Sequence, residues 1–139
     1  MFNKRKKILA AIENKETGEV VSLLKKVKDI NEVSPKPDNK DVENWTLLLH
    51  ACKYGNSELV ELLLKSDADL NVTDSDGKPP LYWAACNNDD DEAATIVKQL
   101  TGKGVDVNEK AYDDRTPIIG AAISGNVSTI EALDRKSVV

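Results

Sequence analysis

Two short phrases recur along this chain at nearly fixed intervals, and that recurrence limits the folds open to it more than any other feature. WTLLLHAC (45–52), KPPLYWAAC (78–86) and RTPIIGAAI (115–123) superpose without gaps, with 33 residues from Thr46 to Pro79 and 37 from Pro79 to Thr116. KDIN, ADLN and VDVN end at Asn31, Asn71 and Asn108, spaced by 40 and 37 residues. Thr46 lies 25 residues before Asn71, and Pro79 lies 29 before Asn108. The basic period is 33, with about four extra residues inside one unit and seven between two others. A period in this range marks a stack of small supersecondary units, none of which can bury its apolar face alone.

The doubled proline of GKPPLYWAAC shows how a unit starts. A proline at the first helical position costs little, because its missing N–H has no intrahelical partner and its φ already suits a helix. The residue before a proline is held extended. Lys78 and Pro79 therefore read as a stiff lead, and Pro80 as the start of a helix. Pro79 also stands where the other units carry Thr46 or Thr116, whose hydroxyl can accept a backbone N–H for about 1 kcal/mol. The third unit is expected to begin stiffly and to be less well capped than its neighbours.

A 33-residue unit with D-x-x-G-x-T-P-L, then A-A, an L-L-L run and A-D-V-N resembles the ankyrin repeat, a turn followed by two antiparallel helices. The second unit supplies Asp41, Thr46, Leu48, Ala51, Gly55, Leu62–Leu64, Ala68, Asp69 and Asn71. The third supplies Asp74, Gly77, Pro80, Leu81, Ala84, Ala85, Val97, Leu100, Gly104, Asp106 and Asn108, and the fourth Thr116, Pro117, Ala121, Ala122, Gly125, Asn126 and Leu133. The first is weaker, with Ala11, Leu23, Leu24, Asp29 and Asn31. The family's histidine after T-P-L is replaced by Leu49, Tyr82 and Ile119, and the one histidine, His50, falls a residue later. The resemblance implies an all-α solenoid of helix-turn-helix units joined by hairpin-like turns. It forms one ankyrin-repeat domain over 1–139, with units near 1–40, 41–73, 74–110 and 111–139.

Family membership also implies where a partner sits, on the variable places around D-x-x-G-x-T and the two residues after the paired alanines. Here these are Val42, Glu43, Trp45, Lys53 and Tyr54; Ser75, Asp76, Lys78, Cys86 and Asn87; and Tyr112, Asp113, Arg115, Ile123 and Ser124. Trp45, Tyr54 and Tyr112 stand out, because aromatic residues dominate binding hot spots. Trp45→Ala is expected to weaken binding by about 2 kcal/mol or more with the fold intact, unless Trp45 folds back over the adjoining turn. Tyr82 and Trp83 are read as packed. The resemblance further implies hydroxylation of Asn31, Asn71 and Asn108, each with a leucine eight residues before it and an aspartate two before. The alternative is that each Asn only bonds its own hairpin.

Composition narrows the function. A net charge of −5 and a pI near 4.9 disfavour a nucleic-acid partner, which needs clustered Lys and Arg. No run of 18 apolar residues is present, so no membrane span is expected, and MFNKRKK precedes only ILAAI, too short for a secretory signal. A cytoplasmic location follows, with the nucleus or export as an effector left open. Cys52 and Cys86 read as reduced, buried small hydrophobes. With one histidine and no C-x-x-C pair, no metal is expected, and no nucleophile–base set or phosphate loop supports an enzyme or a cofactor.

Two segments interrupt the pattern. VSPKPDNK (33–40) reads as an exposed semi-rigid finger between units. NNDDDE (87–92) reads as an acidic approach to a second helix, lacking the spaced geometry of a calcium loop, and Asp90→Asn is expected to change stability little. Helices are expected near 7–14, 18–27, 117–124 and 127–134. The last unit is either a polar cap or the edge of a longer stack. The function expected is a non-enzymatic, monomeric module that binds another protein on a concave face. The alternative is a regulatory or targeting segment of a larger multidomain enzyme or effector.

Overall fold

Thr46 opens α3 (Leu47–Tyr54) by accepting the Leu49 N–H at its hydroxyl, 3.4 Å away, and Gly55 closes the helix in the left-handed region at φ 70°. Asn56 then caps α4 (Ser57–Lys65) through its side-chain oxygen, 3.1 Å from the Leu59 nitrogen. Helix, two-residue turn, antiparallel helix is the unit, and the computed structural model, which describes residues 2–26 and 46–137, repeats it. The other helices are α1 (Phe2–Glu13), α2 (Thr17–Leu24), α5 (Pro80–Ala85), α6 (Asp90–Thr101), α7 (Pro117–Ser124) and α8 (Val127–Ser137). Among the described residues there is no strand. The finger at 33–40 lies outside them.

The helices form two layers. First helices α1, α3, α5 and α7 pack side by side in order, as do second helices α2, α4, α6 and α8, and each first helix packs on its own second helix. Between the layers lie Ile8, Ile12, Val20, Leu48, Leu59, Leu63, Leu81, Ile96, Leu100 and Leu133, all essentially inaccessible. Burying each such side chain stabilises by roughly 1.5–3 kcal/mol. Ala51, Ala84, Ala85 and Ala121 let the first helices approach closely. Gly120 is the extreme case, since a Cβ there would lie 2.5 Å from the Cys86 sulfur.

Pro80 is the first residue of α5 and Pro79 is extended before it, as the sequence implies. Pro79 makes no side-chain capping bond, but neither does Thr116 before α7. Weaker capping is therefore not peculiar to the third pair, because a hydroxyl at that position is no guarantee of the bond. The first helix begins at Phe2, earlier than expected, because Lys and Arg at 4–7 are good helix formers.

The acidic stretch is an entry to a second helix, as read, but it is not an insertion between helices: Asp89 is the N-cap of α6, and Asp90, Asp91 and Glu92 form its first turn. The extra length goes largely into α6, 12 residues against 9 for α4. The carboxylates reach both neighbours. Glu92 accepts the Ser57 N–H at the start of α4 at 3.1 Å. Asp90 accepts the Ser128 and Thr129 N–H groups at the start of α8, at 2.9 and 3.0 Å, and the Thr129 hydroxyl at 2.8 Å. Asn126 returns the contact, donating to Ala85 O at 2.8 Å and Asn87 O at 2.7 Å. Asp90 is thus a structural acceptor rather than a loop carboxylate, which argues against leaving it out of the stability of the stack.

The fourth pair exposes apolar side chains on α7 and at the start of α8 among polar ones such as Ser128, Glu131 and Arg135. Ile119, Ile123 and Val127 are 42%, 66% and 64% exposed.

Candidate partner-binding surface

Between α4 and α5 the chain turns back through Asp74 N–H to Lys78 O and Gly77 N–H to Asp74 O, each 3.1 Å. Gly77, at φ 74°, is required twice over, since a Cβ would also lie 2.5 Å from the Tyr112 ring. The Asp74 carboxylate accepts the Asp76 and Lys78 N–H groups, both at 2.9 Å, and with its other oxygen the Trp83 indole N–H, also at 2.9 Å. One side chain therefore fixes both the turn and the tryptophan ring on the helix that follows. The next turn has Ala111 in place of Asp74 and Asp114, at φ 64°, in place of Gly77. The Tyr112 N–H donates to Asp76 O at 3.0 Å and links the two turns.

The sequence-predicted partner residues fall into four sets. Val42, Glu43 and Trp45 lie outside the described residues, as does Asn31. Ser75, Asp76, Tyr112, Asp113 and Arg115 are exposed on the two turns, with Arg115 paired to Asp113 at 3.3 Å and Tyr112 79% exposed. Lys53, Tyr54 and Asn87 converge with Lys15, Trp83, Cys86, Asn88 and Asp89 on an open depression of about 420 Å³ between the second and third pairs. Ile123 and Ser124 sit on α7, with the Ser124 hydroxyl donating to Cys86 O at 3.1 Å. Asn87 is partly committed to structure, its amide donating to Lys53 O at 2.8 Å.

The depression has a cationic and aromatic character. The Lys53 ammonium lies 5.6 Å from the centroids of both Tyr54 and Trp83. Lys78, which is not among the residues lining the depression, places its ammonium 5.5 Å from Tyr82 and 5.4 Å from Trp83. Tyr82 is buried as expected, and Trp83, read as packed, is half-buried: it packs against the core and also lines the depression. Cys52 is in the core, where burial pushes its thiol well up. Cys86 is only half-buried, a correction to its reading as core; burial raises its pKa while Tyr82, Lys78 and Arg115 pull the other way.

Asn71 and Asn108 are exposed, on turns in which Asp69 and Asp106 accept their backbone N–H groups at 2.9 Å. It is thus the aspartate side chain, two residues earlier, that makes the hairpin bond. Among the described residues no group of three or more His, Cys, Asp or Glu could hold a metal, and no helix is long and apolar enough to cross a membrane.

A family model for ankyrin repeats (three copies) matches residues 8–109. Human inversin is 34% identical over 98 residues, 69% of this chain and 9% of inversin. An ankyrin repeat protein of fowlpox virus is 30% identical over 113 residues, 81% of this chain and 16% of the viral protein. Human SH3 and multiple ankyrin repeat domains protein 2 is 32% identical over 92 residues, 66% of this chain and 5% of that protein. The chain thus spans less than a fifth of the length of these curated relatives. Repeats of this kind are general protein–protein interaction modules, typically without enzymatic activity. Eight helices in four stacked pairs among the described residues, the recurring turn and this match over most of its length agree: the chain belongs to the ankyrin-repeat family.

Proposed function

We propose that this chain is a non-enzymatic module that binds a protein partner on the concave face made by its first helices and turns. The observation that carries the reading is the convergence of Lys53, Tyr54, Trp83 and Asn87 on one open depression, with the exposed turn residues Ser75, Asp76 and Tyr112 beyond it. Aromatic side chains supply contact area at low entropic cost, which suits a hot spot. Affinity capture followed by a binding titration tests it. Tyr54→Ala with Tyr112→Ala should weaken the captured partner by about tenfold or more while the melting curve stays in place. Unchanged affinity would move the site off this face.

A second reading keeps the same surface and makes the module a regulatory or targeting segment of a larger protein. It is favoured by the small share of each relative that the chain matches. We further propose Asn71 and Asn108, and Asn31 by sequence alone, as hydroxylation sites. Exposure of the first two and burial of Leu63 and Leu100 beneath them fit that reading. Mass spectrometry after incubation with an asparagine hydroxylase should show one added oxygen on the peptides bearing them; no addition ends the idea.

A further inference from the structure

We infer that the outer face of α7 receives the first helix of a second copy of this chain, so that the protein stacks end to end. Three helices share one register. The N–H groups of Glu16, Asn56 and Asn126 donate to Ala11, Ala51 and Ala121 O, between 2.8 and 3.0 Å, which aligns α1, α3 and α7 residue by residue. At the joint between the third and fourth pairs, Tyr82 and Cys86 on α5 press against Gly120 on α7. Ile119 and Ile123 hold the places of Tyr82 and Cys86 on α7 itself, yet they are 42% and 66% exposed, and Ala122 between them is exposed as well. Val127, at the start of α8, continues the apolar patch. This face prolongs the joints that α3 makes with α5 and α5 with α7, and a terminal unit that needs no neighbour would carry a polar face there.

The chain's own first helix meets the requirements of that face. In α1 the place of Gly120 is taken by Ala10, which is exposed and small enough to approach Ile119 and Ile123. The place of Asn87 and Ser124 is taken by Asn14, also exposed. Those two residues hold the preceding pair by one repeated bond, the Asn87 amide donating to Lys53 O at 2.8 Å and the Ser124 hydroxyl to Cys86 O at 3.1 Å. Ile123 O is the next carbonyl in that series, and the Asn14 amide of a second copy can donate to it as Asn87 does. One contact is missing. Glu16 stands where Asn126 gives two bonds to the preceding pair, and a carboxylate has no N–H to give. The joint is therefore weaker than those inside the chain, and the monomer expected from the sequence holds at low concentration. Charge favours the same arrangement. Residues 1–26 carry seven lysines and arginines against three glutamates, while the whole chain stands at −5, so the first pair is basic and the remainder acidic. Stacking end to end brings the basic pair to the acidic body of the next chain, whereas a two-fold pairing of α7 with α7 leaves it unused. A contact between unlike faces does not close on itself, so each added chain lengthens the concave face by four helix pairs.

Sedimentation velocity on the full chain, from about 5 to about 500 μM, tests it. The weight-average mass should rise with concentration above the 15.2 kDa of one chain, without a plateau at the dimer. Ile123→Glu and Ala10→Glu each place an unpaired charge in the joint, one from either side, and each should weaken association by about tenfold or more. Both residues are exposed within one chain, so the melting temperature of the dilute protein should not move. Mixed in equal amounts, the two variants should associate again and stop at a pair, because the intact α1 of the first meets the intact α7 of the second. A wild-type chain that stays at 15.2 kDa throughout, association that either variant leaves intact, or a mixture that stays monomeric overturns the inference. A monomeric mixture beside a wild type that halts at the dimer would point to a two-fold pairing instead. Tyr54 and Tyr112 are untouched by these changes, so partner capture on the concave face is read separately.

Discussion

Leu49 on α3, Tyr82 on α5 and Ile119 on α7 hold one register position, and Cys52, Ala85 and Ala122 hold another. In the second and third pairs all four are buried, none more than 4% exposed, whereas Ile119 is 42% exposed and Ala122 is exposed as well. The residue types are alike; the neighbours differ. α5 covers α3 and α7 covers α5, while no described helix covers that side of α7. Burial in a stack is therefore conferred by the next unit rather than earned within one, as expected where each repeat touches only its neighbours.

That contrast can be broken by substituting the same position in two places. Leu49→Ala should cost about 2–5 kcal/mol in chemical denaturation, as should Leu63→Ala in the interlayer core, whereas Ile119→Ala should stay within about 1 kcal/mol. Equal losses at Leu49 and Ile119 would show that something covers α7 in solution.

The next position along offers a sharper contrast in pH. His50 is buried, and burial, helped by the Lys53 charge, lowers its pKa from 6.5 to about 4; Gly120 has the same register and nothing to titrate. As pH falls, the unfolded chain takes up the proton first. Stability is therefore complete above 6.5 and declines toward 4, by about 3 kcal/mol in all. His50→Leu should flatten the slope between pH 6.5 and about 5, above the range where ordinary carboxylates titrate. A wild-type slope of zero there would mean that His50 is not buried neutral.

A smaller effect separates the third pair's caps from those of the others. Asp90→Ala should cost about 1–2 kcal/mol, as loss of a helix cap does. Asp90→Asn should cost less, since an amide oxygen still accepts. Burial raises the Asp90 pKa, but the bonds from Ser128 and Thr129 outweigh it and hold the group below its usual 3.8. The associated stability is present above that ordinary value and fades only as pH drops through the lower one. Least of all, Asp114→Gly should raise stability by at most about 1 kcal/mol, by relieving a left-handed backbone where the preceding turn already has Gly77. A loss there would mean that the Asp114 side chain supports the turn.

The repeat made the fold legible, because 33-residue spacing and paired alanines are local and recur; α7, Pro117–Ser124, starts and stops where its sequence says. The exposed turn positions Ser75, Asp76, Tyr112, Asp113 and Arg115 were legible as turns for the same reason. The place of Trp83 in the depression and the reach of Asp90 and Glu92 were not. Those depend on which atoms a neighbouring unit, some 35–40 residues away, presents to them, and no pattern within one unit encodes that. Lys15 was missed too, since it enters the depression only through the packing of α1 beside α3.

The double reach of the third pair's carboxylates bears on how such a protein can be rearranged. A consensus repeat is an interchangeable cassette, but this one supplies the helix caps of the units on either side, through Glu92 to Ser57 and Asp90 to Ser128 and Thr129. Excising it to join the second unit to the fourth would leave two helix N-termini without their acceptors, beyond the loss of its own core. Duplicating it would set Asp90 against the Asp-rich start of its own copy, where no Ser-Thr pair waits to receive it. This stack is therefore written in a fixed order, and shuffling or inserting units should be tolerated at its ends before it is tolerated at its centre.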